Sequence, residues 1–153
     1  MKIIDVLEKD SIIAELKAED KREVIEEMIE GIVTRRKGLD KAILLEVLLE
    51  REKLGSTGIG YGVAIPHGKL KDLDHLIVAF GRSLKGVDFQ SLDNKPVYIF
   101  FLILAPEDST AVHLKILARI SRLLKDASFR RHLMEVSTSD DLFAVIAEED
   151  KKF

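Results

Sequence analysis

The 153-residue sequence has no cysteine, which excludes disulfides and thiolate metal sites. Nor does either sign of charge dominate. The 24 basic and 27 acidic residues are interleaved to a net charge of -3, which gives no electrostatic case for binding nucleic acid or anionic lipid. The N-terminus, MKIIDVLEKD, reaches Asp5 and Glu8 too early to form the apolar core of a signal peptide. The longest apolar run, Val97 to Ala105, is far too short for a membrane span and suits a buried strand. These absences lead to the expectation of a soluble cytoplasmic protein without direct membrane insertion.

Two nucleotide-binding motifs are also missing. Between Gly62 and the Gly68-Lys69 pair stand five residues where a P-loop needs four, and Leu70 follows in place of Ser or Thr. After Gly58 and Gly60, Val63 occupies the position where a dinucleotide fingerprint needs its third glycine.

What is present is an apolar content of 46%, enough to fill the core of one domain over residues 1–153. No internal repeat or low-complexity segment divides it. The chain is organised around Leu49 to Leu70, LEREKLGSTGIGYGVAIPHGKL. Gly55, Gly58, Gly60 and Gly62 precede a short apolar triplet, Val63 to Ile65, and then Pro66, His67 and Gly68. The triplet suits a short buried strand, which Pro66 stops; Gly68 leaves the flank of the imidazole open. Taken alone, a histidine beside an apolar run is more often a packed structural residue. Its neighbours Pro66 and Gly68 instead favour a ring that is exposed and fixed, and a neutral imidazole is a competent nucleophile or proton carrier near pH 7.

On either side of this stretch the pattern alternates between strands and helices. Ile3 to Leu7 suits one helical turn and Ser11 to Leu16 a first strand. A helix capped by Asp20 carries Val24, Ile25, Met28, Ile29, Ile32 and Val33, and Arg35 to Lys37 close it. A second helix begins at Asp40 and ends at Arg51 to Lys53. On spacing alone, Arg51 is equally a cation suiting a helix C-terminus and a guanidinium brought near His67. Lys69 to His75 reads as a polar connection, Leu76 to Ser83 and Pro96 to Leu104 as strands, and Val87 to Phe89 as a short edge strand. A long helix over Ala111 to Lys125 has His113 in its first turn, at the head of a stripe with Ile116, Leu117, Ile120 and Leu124. Free backbone N–H groups there favour an anion, although a packing histidine fits the same spacing. Phe129 to Val136 and Ser139 to Glu148 are terminal helices, followed by a tail expected to fray. His75 and His132 are read as solvated and without a role.

Strands interspersed with helices predict an α/β fold: a three-layer sandwich in which a mixed β-sheet of about five strands is flanked by helices on both faces.

Arg51-Glu52, Ser56-Thr57-Gly58 and above all Gly62-Val63-Ala64-Ile65-Pro66-His67-Gly68 resemble the active-site signature of the mannitol/fructose-class IIA proteins of the bacterial phosphoenolpyruvate-dependent phosphotransferase system. This class includes the nitrogen-regulatory IIA proteins. His113-Leu114, opening a helix with Leu117-Ala118, matches a second feature of the class, so the resemblance extends over nearly the whole chain. It implies one IIA type-2 domain over 1–153 with the sandwich architecture and with no cofactor, metal or nucleotide. The function it implies is that of a phosphoryl carrier: His67 would take phosphate from phospho-HPr, or the nitrogen-branch paralogue of HPr, and pass it to a cysteine of a IIB domain. His113 and Arg51 would stabilise the phosphate, and the Ser56 to Gly62 loop would shape the pocket. Since the chain has no cysteine, any cysteine carrier belongs to another protein.

The alternative is a regulatory protein of the nitrogen type, in which phosphorylation of His67 switches the grip on a target protein without an obligatory sugar acceptor. The lack of IIB or IIC segments mildly favours it. A metal hydrolase using His67 and His113 ranks lower, because no H-x-x-x-H spacing accompanies either residue.

Overall fold

A computed structural model describes all of residues 1–153. After a 3-10 turn at Ile3–Asp5, the elements run β1 (Leu7–Ile13), α1 (Lys21–Val33), α2 (Lys41–Lys53), β2 (Gly58–Gly60), β3 (Val63–Ala64) and β4 (His67–Leu70). Then come β5 (Ile77–Val87), β6 (Val97–Pro106), α3 (Thr110–Leu124), α4 (Ala127–Glu135) and α5 (Ser139–Asp150). The sheet order is β1-β5-β6-β3-β2, with β4 on the same edge of β6 as β3. β5 and β6 run antiparallel, while β1 lies parallel to β5 and both β3 and β4 parallel to β6. The expected mixed α/β sandwich is therefore present, with six strands rather than about five.

The near-continuous apolar run of β6 has a direct explanation, since it is central and covered on both faces. Its odd-numbered residues Ile99, Phe101 and Ile103 join a core with Ile116, Ile120, Leu133 and Ile146 of α3, α4 and α5. Its even-numbered residues Phe100, Leu102 and Leu104 join a second core with Ile25, Met28, Leu44 and Leu48 of α1 and α2. The period-2 alternation of a strand thus feeds two cores at once.

Asp20 and Asp40 cap α1 and α2 as expected, their carboxylates accepting from Glu23 N at 2.9 Å and Ala42 N at 2.9 Å. Several boundaries differ. β1 starts at Leu7, not Ser11, and Val87 ends β5 instead of opening a strand of its own. Arg35 to Lys37 lie beyond α1, where Arg36 pairs with Glu8 and reaches His75 Nε2 at 2.6 Å. The C-terminus does not fray at Glu148. α5 continues to Asp150, whose buried carboxylate accepts from Arg119 Nε at 2.7 Å and from the Ile4 N–H at 3.1 Å, tying the tail to the N-terminus. No helix is long and apolar enough to cross a membrane.

The largest departure is β4, since the sequence pattern assigns Lys69 and Leu70 to a polar connection. β3 and β4 are one interrupted strand: Val63 pairs with Ile99 and His67 with Ile103 at the same offset. Four residues with only His67, Gly68 and Lys69 before Leu70 carry no strand pattern of their own; the neighbouring β6 backbone imposes it.

Candidate functional site

The break between β3 and β4 builds the site. Along a strand, successive residues direct their N–H and C=O groups to opposite edges. Pro66 turns its carbonyl toward β6, accepting from Ile103 N at 2.9 Å. Ile65 faces the outer edge, where its N–H donates to Thr57 O at 3.1 Å. The Ile65 carbonyl, on the same edge, accepts from the His67 ring at Nδ1, 2.8 Å away. A carbonyl can only accept, so Nδ1 carries the proton and Nε2 holds the lone pair. Nε2 in turn accepts from Arg51 Nε at 3.3 Å. Backbone and guanidinium together select one tautomer of a half-buried imidazole.

Arg51 comes from the last turn of α2 and is held by a second bond, Nη1 to Gly55 O at 2.9 Å. Its approach depends on how closely α2 packs on β4. Gly68 alternates to the face opposite His67, and a Cβ there would fall 2.6 Å from Val47 Cγ1 of α2. The glycine serves helix packing and not an open flank for the imidazole. Gly68→Ala is expected to destabilise the fold by about 1–3 kcal/mol, the usual cost of overpacking, and to draw Arg51 away from Nε2. Urea denaturation reads the first effect, and the pH titration of His67 by NMR the second.

His113 enters from the first turn of α3, its ring centroid 5.2 Å from that of His67 and nearly edge-on at 73°. It is only 6% exposed, and its Nε2 has no hydrogen-bond partner, which is rare for a buried nitrogen. The three residues singled out from the sequence, His67, His113 and Arg51, therefore converge on one cavity of about 450 Å³, which Glu50, Leu54 and Lys69 also line. No cluster of three or more His, Cys, Asp or Glu side chains suited to a metal ion lies there or elsewhere.

The Ser56 to Gly62 loop does not line this cavity, contrary to the sequence reading. It folds as the β2 hairpin, with Leu92 N donating to Gly58 O at 2.9 Å, and Gly62 takes φ +75° where a Cβ would press on Tyr98. Its link to the site runs through Glu52. This buried carboxylate accepts from Thr57 N at 3.1 Å and from the Thr57 hydroxyl, and pairs with Lys21 at 2.9 Å. Glu52 thereby ties the end of α2 to the loop and to α1, fixing the turn that carries Arg51. Sequence reasoning assigns it no role, and its signal is its place beside Arg51 in the stretch that resembles the family signature.

The fold favours the neutral form of both imidazoles. Burial is the main cause that pushes His67 below its ordinary 6.5; Arg51 adds to this, while the Ile65 carbonyl and Glu52 oppose it. Burial, then His67 and Lys69, do the same to His113. A histidine whose pKa is depressed on folding leaves the unfolded chain binding more protons as the pH drops, so stability is retained above 6.5 and lost below it. The urea midpoint is therefore expected to fall as the pH goes from 7 to 5, and to fall less in His113→Phe. NMR titration of the two rings below pH 6.5 checks the cause directly.

Residues 5–149 match the family described as phosphoenolpyruvate-dependent sugar phosphotransferase system, EIIA 2. The chain belongs to this EIIA family. Among its relatives, the nitrogen regulatory protein of Bradyrhizobium diazoefficiens is 41% identical over 96% of this chain and 95% of that protein. The fructose-specific EIIABC component of Bacillus subtilis is 38% identical over 99% of this chain, which spans 24% of that longer protein. In structure the EIIA chain is similar to the nitrogen regulatory protein IIA-Ntr of Neisseria meningitidis, with a TM-score of 0.86 and 35% identity over 93% of this chain and 97% of that one. The EIIA family thus includes both regulatory proteins and sugar-transport components among this chain's relatives.

Proposed function

We propose that residues 1–153 form one EIIA unit acting as a phosphoryl carrier, a phosphotransferase with a phosphohistidine intermediate. His67 takes phosphate from phospho-HPr, or the nitrogen-branch paralogue, and passes it to a IIB-type cysteine. The observation that carries this reading is the His67 ring itself. Its Nδ1 proton is committed to the Ile65 carbonyl, so the lone pair of Nε2 is directed at Arg51 and the cavity.

In the transfer, Nε2 attacks phosphorus in line as the N–P bond of the donor breaks, and the bond electrons return to the donor's ring nitrogen. The proton stays on Nδ1, donated to the Ile65 carbonyl, which supports the positive character the ring gains. Phosphoryl transfer needs positioning and charge stabilisation more than covalent help. Arg51 meets the phosphoryl oxygens as a planar cation, and the unpartnered His113 Nε2 donates to one of them from the N-terminal turn of α3. Leu54, on the cavity wall and 84% exposed, offers an apolar contact for the docking protein.

A second reading is that phosphate on His67 serves as a regulatory signal, changing the affinity for a target protein. The 41% identity to a nitrogen regulatory protein, over nearly the full length of both chains, favours it. One experiment addresses both. The protein is incubated with phosphoenolpyruvate, enzyme I and HPr, and intact mass and acid lability are recorded before and after a IIB domain is added. An acid-labile gain of one phosphate that moves to the IIB cysteine supports the carrier, and a phosphate that stays supports the regulator. Failure of wild type to take phosphate overturns both.

A further inference from the structure

Lys69 stands two residues beyond His67 on β4, so the strand period places both side chains on the face toward α3. It lines the His67 cavity together with His113. Its Nζ donates to the Thr110 hydroxyl, 2.8 Å away, in the first turn of α3. Six lysines of the chain sit on carboxylates, among them Lys21 on Glu52 and Lys53 on Glu50 at 2.7 Å. Lys69 instead rests on a neutral hydroxyl. The one carboxylate on the cavity wall, Glu50, is engaged by Lys53. Two cations without carboxylate partners and one buried nitrogen without any partner thus come from residues that line the cavity of His67.

We propose that Lys69 is a second cationic ligand of the phosphoryl group, exchanging its bond to Thr110 for one to a phosphoryl oxygen when His67 is phosphorylated. This rests on the carrier reading of His67. A phosphoryl group brings close to two negative charges at pH 7, and Arg51 supplies one positive charge. The bond from Nζ to an anionic oxygen is stronger than its bond to a hydroxyl. Thr110 opens α3, where the free N–H groups of the first turn already favour an anion, so the resting position keeps Nζ at the phosphate's edge. The exchange requires only rotations of an exposed, flexible stem.

The test compares wild type, Lys69→Met, Lys69→Arg and Thr110→Val, phosphorylated either by phospho-HPr or by phosphoramidate. With phosphoramidate the P–N bond breaks, ammonia leaves and no protein docks. Lys69→Met is expected to slow phosphate uptake about tenfold with both donors, the scale of one partly exposed charge-assisted hydrogen bond. It is also expected to move the phosphoryl titration, read by 31P NMR, to higher pH. Lys69→Arg recovers most of the loss, and Thr110→Val keeps wild-type uptake. Unchanged uptake in Lys69→Met overturns the proposal. So does a loss confined to phospho-HPr, which makes Lys69 a docking residue, or an equal loss in Thr110→Val, which makes the Lys69–Thr110 bond merely structural. If wild type takes phosphate from neither donor, it is the carrier reading that fails.

Discussion

His67→Ala is expected to take up no acid-labile phosphate from phospho-HPr, whereas His113→Ala takes up a full equivalent about a hundredfold more slowly. Intact-mass time courses separate the two. The difference follows from what each ring has available. His67 offers a lone pair at Nε2 because its other nitrogen is bound to the Ile65 carbonyl, and no second nucleophile in the cavity can replace it. His113 offers a buried, unpartnered Nε2 that the carrier reading makes a donor, and removing one preorganised donor to developing charge costs roughly 10²–10³ in rate without removing the reaction. A phosphate that persists in His67→Ala would move the nucleophile to His113. Equal and complete loss in both variants would make the pair a coupled unit.

Arg82→Met is expected to destabilise the fold by about 3–5 kcal/mol, since each buried acceptor left without its donor costs about 1–3 kcal/mol. Arg82 is 2% exposed and lies between the sheet and α4. Its Nε donates to Ala14 O at 2.9 Å, and its Nη1 to Leu133 O at 3.0 Å and to Val136 O. Two of these carbonyls belong to the end of α4, where the helix leaves C=O groups without intrahelical partners and its dipole favours a cation. Methionine fills the space of the stem and strands three carbonyls. Lysine keeps the charge as a single point that cannot span the β1 side and the helix end together, so Arg82→Lys is expected to recover little. Urea denaturation measures both. Because Arg82 lies outside the His67 cavity, the folded fraction of Arg82→Met should still accept phosphate; a variant that stays stable but loses uptake would refute this assignment.

Much of this molecule is legible from residue order. Helices α1 and α2 begin at Asp20 and Asp40 because a short polar side chain before an apolar stripe satisfies the free N–H groups, a local event. β6 reads as central because nine successive residues avoid charge, which only burial on both faces demands. His67 stands out because proline and glycine beside an imidazole make poor core and good presentation. His113 stands out because it heads an apolar stripe at a helix start.

What sequence could not carry is anything that a distant backbone imposes. β4 has no pattern of its own and exists because β6 supplies a ladder. By residue order Gly68 frees the flank of the ring, whereas in the fold its size is set by Val47 from α2. The burial of Glu52 and Arg82 depends on partners up to 68 residues away. The convergence of Arg51, His67 and His113 is likewise a tertiary fact, since it needs α2 to pass close on one face of β4 and α3 to start beside the other. Capping, periodicity and strand burial act within a few residues and so are written in the order of the chain. Tautomer selection, the unpartnered Nε2 of His113 and the position of Lys69 arise only where three separate elements meet.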